Sequence, residues 1–130
     1  MQKRKIGKIT LIDGARPWKH ELETAHALAN CGRDVEFIDM AGKNQARTAD
    51  VRMEGLVWEI KAPVSDKIAM VQKNIRRALH KSPNVIFDVR RMKRLPDEAV
   101  EREVRKWADK LKTCKRMLYI NRHGTVIEIK

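Results

Sequence analysis

The chain predicts a single α/β domain, three-layer-like, with a mixed β-sheet flanked by helices. Three observations lead there. Segments with apolar residues at helical spacing alternate with short apolar runs of strand length. Two of those runs are joined by Glu54-Gly55, a hairpin turn with Gly in its second place. At 130 residues, with 42% hydrophobic residues, the chain has the length of one domain built on packed layers.

After a basic leader over 1–8, Lys8 to Ile12 reads as a short first strand or a tail. Asp13 to Pro17 is turn material. A helix follows from about Trp18 to Asn30, with Pro17 tolerated before it and Gly32 ending it. Its apolar stripe is Trp18, Leu22, Ala25, Leu28 and Ala29; Glu21 falls within that stripe and Glu23 points the other way. A carboxylate among core positions is costly unless it has a partner. The plainer account of Glu21 is an acid at a helix start, where the dipole favours it.

Asp34 to Met40 reads as a strand with Val35 and Phe37 on one face, and 41–48 as a polar loop. A second helix runs from about Ser65 or Asp66, one of them its cap, to Lys81, on a stripe of Ile68, Val71, Ile75, Ala78 and Leu79. Asn84 to Val89 is nearly all apolar, as a strand buried on both faces should be. Pro96-Asp97-Glu98 opens a third helix to about Lys112, on Val100, Val104, Trp107, Ala108 and Leu111. Met117 to Asn121 and Thr125 to Ile129 are strands around an Arg122-His123-Gly124 turn.

The hairpin from Asp50 to Lys61, which Pro63 closes, carries the chemistry. A two-residue turn pairs Met53 with Leu56, which sets Asp50 opposite Glu59, and alternation puts Lys61 on the same face. Two carboxylates roughly 5 Å apart repel in a bare sheet. The same pair suits a hard divalent cation, which takes oxygen ligands. Glu-x-Lys is also common on solvated strands, and Glu128-Ile129-Lys130 repeats it at the chain's end.

The net charge of +12 is uneven: residues 1–65 hold 11 Lys/Arg against 9 Asp/Glu, and residues 66–130 hold 18 against 8. Such a basic half suggests a polyanion, nucleic acid before membrane surface. Aromatics at 5% argue against a binder that stacks many bases. No apolar run has the length of a membrane span and the start has no secretory h-region, so a cytoplasmic site of action is expected. Cys31 and Cys114 lack metal-ligand spacing and read as buried free thiols. The four histidines do not assemble a zinc site, and only His20, beside Glu21, draws notice.

An acid on a first helix, Asp50 and Glu59-Ile60-Lys61 on a hairpin, and a basic helix after it together resemble the PD-(D/E)XK nuclease superfamily. Its αβββαβ core, as in restriction endonucleases, would span about 18–89, with a helix and β-hairpin extension over about 90–130 of a single 1–130 domain. More narrowly, three phrases look like the C-terminal tRNA-nuclease domains of contact-dependent growth inhibition toxins. They are His20-Glu21…Ala25…Leu28-Ala29…Gly32…Val35, then Trp58-Glu59-Ile60-Lys61, then Asn74-Ile75…Ala78…Ser82-Pro83-Asn84-Val85-Ile86-Phe87-Asp88. Ala49 stands where the motif has Pro, which is not a ligand.

The resemblance implies that Asp50, Glu59 and the Ile60 carbonyl bind Mg²⁺ or Mn²⁺ and that Glu21 completes the site. Lys61 would orient or help deprotonate the attacking water and offset phosphate charge, or serve only as the acids' salt-bridge partner. Gln72, Lys73, Arg76, Arg90, Arg91 and Arg94 are candidates for contacts to the nucleic-acid backbone, beside the plain account of solvated helix-surface cations. The expected activity is metal-dependent phosphodiester hydrolysis, tRNA or other RNA before DNA, with an acidic immunity protein as a further partner and delivery by a dedicated toxin system left open. The alternatives are a DNA nuclease of a phage or mobile element, and a nucleic-acid-binding module of the same fold that does not cut.

Overall fold

The computed structural model describes residues 5–12, 14–38 and 50–130. Among them the order is β1 (Ile9–Leu11), α1 (Lys19–Asn30), β2 (Val35–Phe37), β3 (Val51–Met53), β4 (Leu56–Lys61), α2 (Ala69–Leu79), β5 (Asn84–Asp88), α3 (Asp97–Lys110), β6 (Arg116–Ile120) and β7 (Val126–Glu128). The strands form one mixed sheet in chain order. β1 runs parallel to β2, β4 to β5 and β5 to β6, each pair linked by a helix, while β2–β3, β3–β4 and β6–β7 are antiparallel.

Alternation along the strands separates two cores. Val85, Phe87, Met117 and Tyr119 pack with Val71, Ile75 and Ala78 of α2 and Val100, Val104 and Ala108 of α3. Ile60, Ile86, Leu118 and Ile120 face the other way, with Val35, Phe37, Val51, Met53 and Trp58, against Ala25, Ala27 and Leu28 of α1. The domain is thus helices, sheet, helix, and β5 is buried throughout because both of its faces are covered. No helix among the described residues is long and apolar enough to cross a membrane.

The hairpin register follows the turn. Glu54 and Gly55 both have positive φ, 56° and 77°, the geometry whose twist matches a two-residue hairpin. Met53 therefore pairs with Leu56 and Val51 with Trp58.

The first strand is real, paired in register with Val35 to Phe37. The strand expected to reach Met40 is β2, ending at Phe37; Met40 and the loop expected over 41–48 lie outside the described residues. Trp18, expected on the apolar stripe of α1, is 71% exposed. It stands at the N-cap, before the helical phase begins, so the stripe's spacing does not hold its side chain inward. The second helix begins three to four residues late, at Ala69. Ser65 Oγ instead accepts the Lys67 N–H at 3.1 Å, a local turn that competes with capping. Ile68, now the cap residue, is exposed rather than part of the stripe. Both cysteines are free; Cys114 is buried, whereas Cys31, in the turn after α1, is only half-buried.

Candidate functional site

Helix α1 is set by a polar tie to the end of β5. Thr24 donates its hydroxyl to Asp88 Oδ2 at 2.7 Å, and Arg90 grips both Asp88 oxygens through Nε and Nη2 at 3.0 and 2.8 Å. The same Nη2 donates to the Glu23 carbonyl at 3.0 Å. Thr24 and Asp88 are both buried, so the pair fixes the helix phase as well as its position. Glu21, three residues before Thr24, then turns toward the end of the β3–β4 hairpin while Glu23 is exposed. Glu21 also reaches back to accept the Trp18 N–H at 2.8 Å, satisfying a donor the helix start would leave free.

Strand β4 carries two kinds of residue on two faces. Trp58 and Ile60 join the α1 core; Glu59 and Lys61, paired with Val85 and Phe87, face the side of α2. Asp50 follows at the bend before β3 and continues the register, its N–H donating to the Trp58 carbonyl at 3.0 Å. Its carboxylate accepts the Ile60 N–H at 2.9 Å, which pins the side chain across the hairpin end.

Glu59 is buried to 2% exposure. One oxygen, Oε2, meets Lys81 Nζ at 3.6 Å and Lys61 Nζ at 3.8 Å, while Oε1 is buried with no hydrogen-bond partner among the described residues. Burial first, and then the Asp50 charge, push its pKa up to about 8 against the pull of the two lysines. Glu21 is raised as well, by burial and then by Asp50, with the Trp18 N–H opposing. His20 is lowered by burial and by Arg91, opposed by Asp50, Glu23 and Asp88.

These groups line one cleft of about 650 Å³, floored by Glu59, Ile60 and Lys61 and walled by Glu21, His20 and Asp50. Gly14 to Trp18 form one rim, and Asn74 and Lys81 close the other side. All four residues read from the sequence as catalytic candidates, Glu21, Asp50, Glu59 and Lys61, therefore meet in one place. Among the described residues no three His, Cys, Asp or Glu side chains are drawn tightly enough to enclose a metal ion by themselves. The donor set fits a cation that keeps its waters: two carboxylates across a hairpin end, one with a bare buried oxygen.

The basic candidates disperse. Arg76 lies over the Trp107 ring of α3, 5.7 Å from its centroid, with the Gln72 amide oxygen accepting from its Nε and Nη2 at 2.9 and 3.1 Å. Both thus sit toward α3 instead of the cleft. Arg90 is consumed by Asp88 and Glu23. Arg91 comes nearest, donating to the Ala62 carbonyl at 2.9 Å on the cleft wall. Lys73 and Arg94 are exposed.

Lys81 and Asn74 were not singled out by the sequence. Asn74 stands at the spacing of the α2 stripe, one residue before Ile75, and its side chain donates to the Met70 carbonyl at 2.8 Å. A polar residue within an apolar stripe was the available signal. Lys81 lies beyond the helix end, where helical phase says nothing about direction.

An α/β domain with acids and lysines gathered at a hairpin end is the class these features define. Residues 47–126 match the contact-dependent growth inhibition CdiA C-terminal domain, and the chain belongs to that family. A solved structure, the CdiA-CT/CdiI toxin and immunity complex from Burkholderia pseudomallei, is similar in fold. It has a TM-score of 0.69 and 17% identity, covering 95% of this chain and 99% of that one. No curated protein matches the chain.

Proposed function

We propose that this toxin-family domain is a metal-dependent endonuclease of PD-(D/E)XK type, hydrolysing phosphodiester bonds in nucleic acid, with tRNA the favoured substrate. One observation carries the reading. Glu59 is a buried carboxylate with one oxygen bare, beside Asp50 and Glu21 and under two lysines, in an open cleft. Such a group is expensive to keep in a fold for stability alone. Perturbed carboxylates clustered in a cleft are what phosphoryl chemistry requires.

Asp50 and Glu59, with the Ile60 carbonyl, would hold Mg²⁺ or Mn²⁺. Mg²⁺ sites use one or two carboxylates with waters and substrate phosphate, so a closed protein cage is not needed. When bound, the ion supplies a water of lowered pKa and neutralises charge on a phosphoryl oxygen. Lys61 offsets the incoming phosphate charge and orients the attacking water. Lys81 opposes the burial that raises the Glu59 pKa and so makes its ionisation less costly, and Glu21 would accept a hydrogen bond from the water on the α1 side. The +12 net charge favours the approach of a polyanion. It also favours an acidic immunity protein as the partner that covers the cleft, by analogy with the complex of similar fold.

The test is a cleavage assay on tRNA, total RNA and plasmid DNA, with Mg²⁺ or Mn²⁺ and with EDTA. Metal-dependent cutting of tRNA is expected. Cutting of plasmid alone would move the substrate to DNA, and no cutting of any of the three would leave a binding module.

A further inference from the structure

Trp18 has no role in the core or in the chemistry above. It is the most exposed large apolar side chain among the described residues, at 71%. The chain's other aromatics, Phe37, Trp58, Phe87, Trp107 and Tyr119, are all buried or half-buried. Single exposed apolar residues are ordinary on a surface. This one differs in where it stands and how it is held. It lines the rim of the cleft that contains Glu59 and Lys61, next to the exposed Arg16. Its N–H is bonded to Glu21 Oε1 at 2.8 Å, and its carbonyl accepts the Leu22 N–H at 3.0 Å, opening α1. Pro17 before it restricts the incoming backbone. The hydrogen bond that holds Glu21 thus also places the Trp18 backbone at the cleft rim, where the indole is open to solvent.

We propose that Trp18 is a stacking platform for one unpaired nucleobase beside the phosphate taken into the cleft. The proposal rests on the nuclease reading and narrows its substrate to strands that are unpaired at the cut: a loop, a bulge or a free end. Bases inside a duplex are already stacked on their neighbours and present only their edges, so the indole face has nothing to receive there. A splayed base offers its whole π-face, whatever its identity. Arg16 on the rim, Lys61 in the floor and Lys81 on the far side supply the positive charge that the flanking phosphates need. One platform grips one base, in keeping with an aromatic content of 5%.

Binding is measured by fluorescence anisotropy in EDTA, where nothing is cut, for the wild type, Trp18→Ala and Trp18→Phe. The probes are an RNA hairpin with a short unpaired 3′ tail, the same hairpin with a blunt end, and the DNA counterparts. Trp18→Ala should weaken binding to tailed probes by about five- to a hundredfold and leave blunt ones unchanged. Trp18→Phe should retain most of the affinity. Tailed probes should also quench the wild-type indole emission more than that of Trp18→Phe. Equal affinity of Trp18→Ala and wild type for tailed probes overturns the proposal. So does an equal loss on blunt probes, or failure of the wild type to bind any tailed probe. Adding Mg²⁺ or Mn²⁺ to the wild type on the same hairpins tests cutting separately, so a dead enzyme and a missing platform give different results.

Discussion

Lys81 Nζ stands 3.6 Å from Glu59 Oε2, nearer than Lys61 Nζ at 3.8 Å. The lysine that the motif supplies is thus not the acid's closest cation. Two lysines on one oxygen leave each of them less than a full ion pair, and leave Lys61 freer to face a phosphate. Lys81→Ala should raise the Glu59 pKa further, because one of the two charges holding it down is gone. The rising limb of cleavage against pH should then move up by about a unit for each ~1.4 kcal/mol of attraction lost. Lys81→Arg should restore most of the profile. An unchanged pH profile in Lys81→Ala would remove Lys81 from the site.

The metal-free protein should lose stability as pH rises. The Glu59 carboxyl goes from 4.5 to about 8 on folding, so between those values the folded state holds a proton that the unfolded chain releases. Its contribution is fully present below about pH 4.5 and fades as pH climbs through about 8. Glu59→Gln should flatten that dependence and abolish cleavage while keeping the fold. Urea melts in EDTA across this range check the first claim, and circular dichroism with a cleavage assay checks the second.

Asp50→Asn should raise the metal-free melting temperature by a few degrees at low salt. It removes a charge that acts on both Glu21 and Glu59 and keeps an oxygen for the Ile60 N–H. Cross-strand charge pairs contribute about 0.2–1 kcal/mol, which sets the size of the shift. The variant should also lose most of the stabilisation that Mg²⁺ or Mn²⁺ gives the wild type. Thermal melts of both proteins, with and without metal, would contradict a shared site if the full metal shift survived.

Glu21→Gln should impair cleavage strongly and Glu23→Gln hardly at all. Only Glu21 lines the cleft; the part of Glu23 that the fold uses is its carbonyl, bonded to Arg90. Comparing single-turnover rates of the two variants checks it, and equal losses would contradict the site.

Arg90→Ala should act on folding. It leaves the buried Asp88 without its bidentate partner, a loss of about 2–4 kcal/mol, somewhat below the figure for a wholly buried pair. Lys73→Ala and Arg94→Ala, at exposed positions, should leave stability alone. If they touch phosphates, each should lower the slope of log affinity against log salt by about one. Urea melts and salt titrations separate the two behaviours.

The sequence exposed the layers because period and turn chemistry are local. Glu54-Gly55 alone set the register that brings Asp50 to Glu59, and the alternation in β4 put Lys61 on the same side. Helical phase was enough to place Glu21 toward the cleft and Glu23 away from it. It failed at Trp18 and Ile68, which precede the helical turns that define a stripe, and at Lys81, which follows them. It could not show that Arg76 would be drawn onto Trp107 or Arg90 onto Asp88, since those partners come from other elements. A run of cations in sequence says how much charge there is, and only packing decides which of it remains free.

The sheet's strands lie side by side in the order in which they occur in the chain. Each strand therefore finds its neighbour in the strand just before it in sequence; one helix joins β1 to β2, β4 to β5 and β5 to β6, and a turn joins β3 to β4 and β6 to β7. Only consecutive strands have to be brought together, which limits the closure entropy each pairing must overcome. A chain wired in this way can assemble from one end to the other and can be unravelled and rebuilt without any strand waiting for a distant partner.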